Sequence, residues 1–215
     1  MKTNSDHIIA QQILATEQLG GRTVLEIGCG DGRITSLLVE SSCHLTAIDV
    51  DKRLLTKAAN RVKGVKFILA SGEKTNFPDN LFDVVIFTLS LHHQDSVQAL
   101  SEAKRILKQD GKIIVVEPNE DGEVEKLFAL LVNENQEKRA AQKAIMNCGL
   151  ELSQQEQFLA KWTFDNLEDL QQSIFAYYEM EYDPEIAQKL VALIGDKENS
   201  SPIIIEDKMT IQILK

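Results

Sequence analysis

Short apolar runs, separated by segments of helical periodicity, dominate the first half of the chain. The runs are mostly about 20 residues apart and cover residues 24–27, 45–48, 65–69, 84–87 and 113–116. Runs of this kind are typical of strands that are buried on both faces of a sheet. The segments between them repeat their apolar positions every three or four residues, which predicts helices. Alternation of strand and helix favours right-handed crossovers and a parallel sheet covered on both faces, the doubly wound α/β fold.

Further helices are predicted outside this strand-rich half. They cover about residues 6–19, 121–147 with a break near 133–135 as one reading, 167–178 and 184–194. Ser5 is expected to cap the first helix, and Gly149 to follow the end of the second. Asp165 to Glu168 has the spacing of a capping box, and Asp183 before Pro184 predicts a capped start for the last helix, which stops at Gly195.

Two strands with one buried face are predicted in the last third of the chain. Apolar and polar residues alternate over residues 158–164 and again over 208–214. We expect these two strands to pair antiparallel and to extend the five parallel strands to a seven-stranded sheet.

Composition limits the cellular compartment and the classes of binding partner that are expected. The 215 residues are 43% hydrophobic, enough for one sizeable core, and 33 acidic against 23 basic residues give a net charge of −10. That charge disfavours nucleic acid and anionic membranes as partners. Cys29, Cys43 and Cys148 lack CxxC spacing, so neither a disulfide framework nor a metal site is predicted. Without an apolar stretch of bilayer length or a signal peptide, the chain is predicted to be cytoplasmic.

The turn after the first apolar run carries the most specific chemistry. The sequence VLEIGCGDGR leaves a strand and enters a helix, with Gly28, Gly30 and Gly32 alternating and Glu26 at the strand end. Alternate glycines allow the backbone to approach a nucleoside closely. A dinucleotide site would have a third glycine where this chain has Arg33, and would hold a pyrophosphate. Acidic groups around the turn favour a ligand with an ammonium and a sulfonium over one with two phosphates.

A second carboxylate follows at the spacing expected for ribose binding. Asp49 ends the second predicted strand, 21 residues after Gly28. One carboxylate in this place accepts hydrogen bonds from both vicinal hydroxyls of a ribose. Asp51, two residues later, is predicted to cap the next helix, and Arg33 to pair with a nearby carboxylate.

Taken together, these motifs resemble those of the class I S-adenosylmethionine-dependent methyltransferases, in the small-molecule group related to ubiquinone biosynthesis. The resemblance covers roughly residues 20–120. It rests on VLEIGCGDGR, LTAIDVD, NFPDNLFDVV, SLHH, the helical run AKRILK and the segment IIVVEPN, in this order. It implies a single methyltransferase domain over residues 1–215 with S-adenosylmethionine as its cofactor. Its predicted parts are an N-terminal helix (1–20), a cofactor-binding half (21–118) and a helical cap on the acceptor side (119–149 and 165–195).

The resemblance also implies which residues bind the cofactor. It assigns the methionine end to the turn that contains Glu26, Gly28, Cys29, Gly30 and Gly32. Within that turn, the Cys29 side chain is read as a small space-filler rather than a nucleophile.

The remaining cofactor contacts follow in chain order. The resemblance assigns the ribose to Asp49, the adenine to the side of Val50, the adenine amino group to Ser71 and Gly72, and the amino-acid portion to Thr88. Relatives often have an aspartate where this chain has Ser71, which predicts a weaker, water-mediated or backbone contact there.

Candidates for acceptor chemistry are fewer. His92 and His93 follow the fourth predicted strand, where an open α/β sheet binds its ligand, and are the candidates for a general base. The alternative is that they only start a helix and shape the pocket. Tyr177, Tyr178 and Tyr182 could line an acceptor pocket or belong to the core.

The predicted function is transfer of a methyl group to a small-molecule acceptor by in-line displacement. Methylation of a protein acceptor and a non-catalytic cofactor-binding subunit are the open alternatives. A nicotinamide-dependent oxidoreductase is disfavoured by Arg33 and by the predicted antiparallel strand pair.

Overall fold

A computed structural model describes residues 1–41 and 44–215, so Cys43 lies outside the described residues. Within this part of the chain there are eight β-strands and eight α-helices. The strands are β1 (Lys2–Thr3), β2 (Thr23–Ile27), β3 (His44–Asp49), β4 (Lys66–Leu69), β5 (Phe82–Thr88), β6 (Leu107–Pro118), β7 (Leu152–Phe164) and β8 (Ile203–Leu214). The helices are α1 (Ser5–Thr16), α2 (Arg33–Leu38), α3 (Lys52–Arg61), α4 (Ser96–Ile106), α5 (Glu123–Phe128), α6 (Asn135–Asn147), α7 (Leu167–Tyr177) and α8 (Pro184–Ile194).

The strands form one sheet in the order β1-β7-β8-β6-β5-β2-β3-β4. β2 pairs in parallel with β3 and with β5, and the outer parallel pairs are β3 with β4 and β5 with β6. The five predicted parallel strands are therefore confirmed. The aliphatic side chains of β2, β3, β5 and β6 are buried, because helices cover both faces of a parallel sheet. On the edge strand β4 none of the residues is buried, and Leu69 is 56% exposed.

The predicted antiparallel pair is also confirmed, and both strands are longer than the alternation indicated. Beside the start of β7 and the end of β8, Glu151 and Lys215 exchange backbone hydrogen bonds of 2.8 and 2.9 Å. The predicted count of seven strands is one too low, because β1 pairs antiparallel with β7 and places Lys2 opposite Thr163. A strand of two residues is too short to produce an alternation that sequence analysis can detect.

Several predicted helix boundaries are corrected. Residues 121–147 form two helices, α5 and α6, which agrees with the reading that the segment is broken. α4 ends at Ile106, so Leu107 and Lys108 of the run AKRILK belong to β6. The cap of α7 is Asn166, which accepts the amide hydrogen of Asp169, rather than a box that begins at Asp165.

At the chain start, Ser5 is the first residue of α1 and not the residue before it. Its amide donates to Thr3 Oγ1 over 3.1 Å, so a threonine two residues earlier accepts the hydrogen bond of the first helical amide. The predicted caps Asp51 and Asp183 are confirmed, since each carboxylate accepts two amide hydrogens of the first helical turn.

The chain divides into two compact units. The smaller unit comprises Met1–Ser5, Pro118–Gln136 and Gln157–Met209, and the larger comprises Asp6–Glu117, Glu137–Glu156 and Thr210–Lys215. Aliphatic residues of β2, β5 and β6 form the main core of the larger unit, while the core of the smaller unit is rich in aromatic residues. Among the described residues, no helix is long and apolar enough to cross a bilayer.

Candidate active site

The glycine-rich turn joins β2 to α2 at the carboxyl ends of the parallel strands. The amides of Gly28 and Cys29 donate to the carbonyl oxygen of Ile48 at 2.8 and 3.1 Å, which ties the turn to the end of β3. Gly28 has a φ of 76°, and a Cβ there would lie 2.5 Å from the Cβ of Ser90. Position 28 therefore requires glycine because the chain leaving β5 approaches it closely.

The other two glycines of the turn serve different purposes. A Cβ on Gly32 would lie 3.0 Å from the Cβ of Ala58 on α3, whereas a Cβ on Gly30 would meet nothing within 4 Å. Sequence analysis assigned all three glycines to the approach of a ligand. In the structure two of them accommodate neighbouring side chains, and Gly30 is the one that borders open space.

Glu26 is completely buried at the end of β2. Its carboxylate accepts hydrogen bonds from Thr35 Oγ1 at 2.6 Å and from Thr88 Oγ1 at 3.3 Å. Burial raises the pKa of Glu26 to about 7, and the two hydroxyl groups and the nearby Asp49 carboxylate have smaller effects. Sequence analysis did not identify Thr35, whose contact depends on the first turn of α2 lying above the strand end.

Asp49 lies at the end of β3, beside the turn. One carboxylate oxygen accepts the amide hydrogen of Gly30 and the other accepts that of Asp51, both over 2.8 Å. Each oxygen retains a further lone pair for a ligand hydroxyl. Val50 follows directly and is 71% exposed, which is unusual for an aliphatic side chain beside a buried strand.

Cys29 and Arg33 have the structural roles that their sequence context predicted. The Cys29 side chain is buried and packs with Ala47 and Leu55. Burial, reinforced by nearby carboxylates, raises the pKa of its thiol, which keeps it un-ionised and unreactive. Arg33 pairs with Asp31 at 3.4 Å and with Asp6 at 3.8 Å.

The loop after β4 contains Ser71 and Gly72. Ser71 Oγ accepts the amide hydrogen of Glu73 at 3.2 Å. A Cβ on Gly72 would collide with Gln94 Oε1 and would lie 2.5 Å from a methyl carbon of Ile27, so this loop lies against the end of β2. Gln94 is thus part of the same edge of the sheet, and its sequence context gave no signal of this.

The segment after β5 is held by hydrogen bonds to its neighbours. Ser90 Oγ donates to the carbonyl oxygen of Ile27 at 2.7 Å. Residues Leu91–His93 form a single 3₁₀ turn, and the amide of Leu91 donates to Glu117 Oε1 at 2.9 Å. The other carboxylate oxygen of Glu117 contacts Nδ1 of His92.

The two candidate histidines differ in their surroundings. His92 is buried whereas His93 is exposed, and their ring centroids are 3.9 Å apart. Glu117, near the end of β6, was missed by sequence analysis. The available signal was an acidic residue between the apolar run of that strand and Pro118.

An aromatic cluster in the smaller unit contains Phe128, Trp162, Tyr177 and Tyr178. The rings of Phe128 and Tyr177 stack with centroids 4.9 Å apart, and Tyr177 is 44% exposed. Trp162 is buried, and its indole donates to Asp207 Oδ2 at 2.9 Å. Burial raises the pKa of Tyr178.

Tyr182 lies outside this cluster. It is 56% exposed, with its ring 5.2 Å from that of Phe175.

The turn and the strand ends fit a cationic nucleoside. The carboxylates of Glu26 and Asp49 suit positive charge and ribose hydroxyls, and the open space beside Gly30 allows a ligand to reach the backbone. Whether each predicted residue contacts a cofactor remains a prediction.

Comparison with known proteins agrees with this geometry. Residues 25–115 match the family described as methyltransferase domain. A demethylmenaquinone methyltransferase from Tropheryma whipplei is 33% identical over 101 residues, which are 45% of this chain and 42% of that protein. A ubiquinone/menaquinone biosynthesis C-methyltransferase, UbiE, from Hahella chejuensis is 33% identical over 107 residues, 45% of this chain and 43% of that protein. The chain thus spans less than half of the length of these relatives.

A solved structure extends the similarity to nearly the whole fold. The YcgJ protein from Bacillus subtilis superposes with a TM-score of 0.68 at 20% identity, covering 97% of this chain and 98% of that one. At this level of identity the likeness establishes the Rossmann-like fold alone.

Proposed function

With a methyltransferase domain over residues 25–115 as the premise, we propose that this chain is an S-adenosylmethionine-dependent methyltransferase that acts on a small-molecule acceptor. The observation that carries the proposal is the link between the glycine-rich turn and the end of β3. Asp49 accepts the amide hydrogen of Gly30 at 2.8 Å, which holds a ribose-binding carboxylate beside the one turn glycine that borders open space.

The cofactor-binding residues divide by the part of the ligand that they bind. Asp49 binds the two ribose hydroxyls, and the exposed Val50 covers one face of the adenine. Ser71 and Gly72 lie near the adenine amino group, where a serine hydroxyl and the backbone replace a carboxylate. The turn from Gly28 to Gly32 binds the methionine portion.

Glu26 acts on the ligand without contacting it directly. It is completely buried, so its negative charge reaches the methionine end through Thr88 and through the field that it sets up around the turn. A positive ligand favours the ionised form of a carboxyl group whose pKa is raised to about 7.

The reaction is an in-line displacement, and the protein contributes to it mainly by positioning. The bound cofactor supplies an electrophilic methyl group. The strand ends align the acceptor with that methyl group, which replaces the entropic cost of a bimolecular encounter with binding energy.

Acceptor choice is assigned to the smaller unit. Helix α5, strand β7 and the end of helix α7 contribute the aromatic cluster, whose partly exposed Tyr177 ring offers a surface for a planar ligand. The two relatives described above are named as quinone-biosynthesis methyltransferases, which supports a small aromatic acceptor.

The proposal is tested in two steps. Isothermal titration calorimetry should detect binding of S-adenosylmethionine and of S-adenosylhomocysteine, with NADH as the negative control. A panel of hydroxylated aromatic compounds is then screened by the release of S-adenosylhomocysteine. Cofactor binding without turnover of any small molecule, together with labelling of a protein from a lysate, would favour a protein acceptor instead. Absence of cofactor binding would refute the proposal.

A further inference from the structure

The loop after β4 meets the segment after β5 at the carboxyl edge of the sheet. β3 and β4 are parallel, with Asp49 opposite Leu69, so the loop that follows Leu69 begins beside the end of β3. A Cβ on Gly72 in this loop would lie 2.5 Å from a methyl carbon of Ile27 and 2.3 Å from Oε1 of Gln94. In open α/β folds, ligands bind at this edge.

We propose that Gln94 determines the choice of nucleoside in the cofactor, because its side-chain oxygen Oε1 accepts a hydrogen bond from the 6-amino group of adenine. This inference rests on the proposed function, in which Asp49 binds the ribose and the loop with Ser71 and Gly72 lies near that amino group. Gln94 adds a side-chain carbonyl group that neither residue of the loop has.

The hydrogen bonds around Gln94 fix the orientation of its side-chain amide. Nε2 donates to the carbonyl oxygen of Ser90 at 3.0 Å. Ser90 is held in turn, since its Oγ donates to the carbonyl oxygen of Ile27 at 2.7 Å. A carbonyl oxygen can only accept, so the amide cannot turn over without losing the bond to Ser90. Oε1 therefore faces Gly72.

Oε1 of Gln94 is available to a ligand. Among the described residues, none forms a hydrogen bond with this oxygen. In the same part of the chain, every buried side-chain oxygen or nitrogen has a partner, so Oε1 is accessible to solvent. Ser71 Oγ differs, because it already accepts the amide hydrogen of Glu73 at 3.2 Å. Of these two side-chain acceptors, Gln94 is the one with both lone pairs available.

Further hydrogen bonds hold the loop and the segment in place. The amide of Asp95 donates to Glu73 Oε1 at 2.8 Å, which joins the residue after Gln94 to the loop. The amide of Ala70 donates to the carbonyl oxygen of Asp49 at 3.1 Å, which joins the loop to the end of β3. The acceptor on Gln94 is thus held at a fixed place relative to the ribose-binding carboxylate.

The contact with Gln94 defines which nucleosides bind. Adenine has an amino group at position 6, which donates, whereas hypoxanthine has an oxo group there, which only accepts. An oxo group opposite Oε1 would bring two acceptors together with no hydrogen between them. The wild type should therefore bind S-adenosylhomocysteine about 10- to 100-fold more tightly than S-inosylhomocysteine, which has the oxo group.

Gln94→Met is the decisive substitution because it keeps the length of the side chain and removes the carbonyl oxygen. Calorimetry measures the dissociation constants of the two ligands. Their ratio should fall to less than about threefold in this variant. Loss of the bond to Ser90 would loosen the loop and weaken both ligands alike, so the ratio separates a direct contact from a structural role. An unchanged ratio would overturn the proposal.

Gln98→Met is the matched control. It makes the same change on α4, where Gln98 Nε2 donates to Asp95 Oδ2 at 2.7 Å, and both dissociation constants should stay within about twofold of the wild type. Ser71→Ala tests the competing acceptor. A fall in the ratio equal to or larger than that of Gln94→Met would assign the amino group to Ser71 and overturn the proposal.

NMR of the wild type provides an independent measurement. The ¹³Cδ resonance of Gln94 should move downfield when S-adenosylhomocysteine binds, because a carbonyl carbon is deshielded when its oxygen accepts a hydrogen bond. The shift should be smaller with S-inosylhomocysteine. This measurement decides the question if Gln94→Met does not fold, and no shift with bound S-adenosylhomocysteine would overturn the proposal.

The two levels of the inference fail in different ways. Failure of the wild type to bind S-adenosylhomocysteine and S-adenosylmethionine would refute the proposed function, and the role of Gln94 with it. Binding of S-adenosylhomocysteine and S-inosylhomocysteine with equal affinity would refute the role of Gln94 alone.

Discussion

The two compact units differ in where their buried carboxylates lie and in which groups surround them. In the larger unit, the buried carboxylates Glu26 and Glu117 lie at strand ends, where hydroxyl, amide and imidazole groups hold them. In the smaller unit the buried carboxylate Asp207 accepts from Trp162 and Ser5, and the surrounding core is aromatic. The larger unit thus holds charged groups at the edge where open α/β sheets generally bind their ligands, whereas the smaller unit presents ring surfaces.

This difference leads us to expect different functions for the two units. Residues 25–115, which match the methyltransferase domain, lie wholly within the larger unit. Changes at its strand ends should therefore act on cofactor binding and on the chemical step. Changes to the aromatic cluster should act on the acceptor. The predictions below test this contrast, beginning with the largest expected effect.

Gly28→Ala should have the largest effect, on both stability and cofactor binding. The new Cβ would lie 2.5 Å from the Cβ of Ser90, at a φ of 76°. Left-handed strain and the steric clash together should lower the free energy of unfolding by about 2 to 5 kcal/mol. Urea denaturation measures the stability, and calorimetry should show cofactor binding lost or severely weakened.

Gly21→Ala is the matched control for that change. Gly21 has a φ of 72°, but a Cβ there would meet nothing within 4 Å, so only the backbone strain of about 1 to 2 kcal/mol is expected. Adding Ser90→Gly to Gly28→Ala should restore part of the stability, because it removes one of the two clashing carbons. Equal losses in the two alanine variants would show that the close approach to Ser90 has no energetic weight.

Glu26→Gln should change the pH dependence of stability in the cofactor-free protein. Burial raises the pKa of Glu26 from 4.5 to about 7, so the folded state holds this proton more tightly than the unfolded state. Its contribution to stability is therefore present at low pH and is lost as the pH rises from about 4.5 to 7, by roughly 3 kcal/mol.

Urea denaturation of the wild type and Glu26→Gln at pH 5 and pH 8 measures this effect. The two proteins should be similar at pH 5, and the variant more stable at pH 8, because it avoids ionising a buried group. The same pH dependence in both would mean that Glu26 has an ordinary pKa. Of the two buried carboxylates on which the contrast between the units rests, only Glu117 would then support it.

Hydrophobic periodicity was sufficient to predict most of the fold. The five parallel strands and the final antiparallel pair have enough consecutive apolar or alternating positions to indicate buried faces. The strand β1 has two residues, and its pairing with β7 is settled by contacts far apart in the sequence. The boundary at Ile106 was missed because Leu107 continues the helical spacing, although pairing with Phe82 places it in β6.

The candidate site could be predicted only where a local motif marks it. Gly28, Asp49 and their spacing are visible in the sequence, since strand ends and turns are local features. Thr35 and Glu117 were missed because their roles arise from contacts between residues 9 and 25 or more positions apart. Such contacts depend on strand order and helix placement, which periodicity alone does not determine.

Asp49→Ala should weaken S-adenosylmethionine binding by about 1.5 to 3 kcal/mol, the range for a hydrogen bond to a charged acceptor. The carboxylate also holds the amides of Gly30 and Asp51, both at 2.8 Å, so its loss should loosen the turn. Calorimetry measures the affinity. Asp51→Ala is the control, because loss of a helix cap should lower the stability slightly and leave the affinity within about twofold. Equal affinity losses in both variants would remove Asp49 from the ribose site.

The smallest effect is expected from Tyr177→Ala combined with Tyr178→Ala. A ring contact is worth about 0.5 to 1.5 kcal/mol, so loss of such a contact with a planar acceptor should lower turnover at low acceptor concentration by about 3- to 10-fold. Cofactor affinity should stay nearly constant, since both residues lie in the smaller unit. Replacing both tyrosines with phenylalanine keeps the rings and removes the hydroxyls, which shows whether the ring faces or the polar groups bind the acceptor. If the alanine variant lost cofactor affinity in step with its stability, the tyrosines would be core residues and acceptor choice would have to be assigned elsewhere.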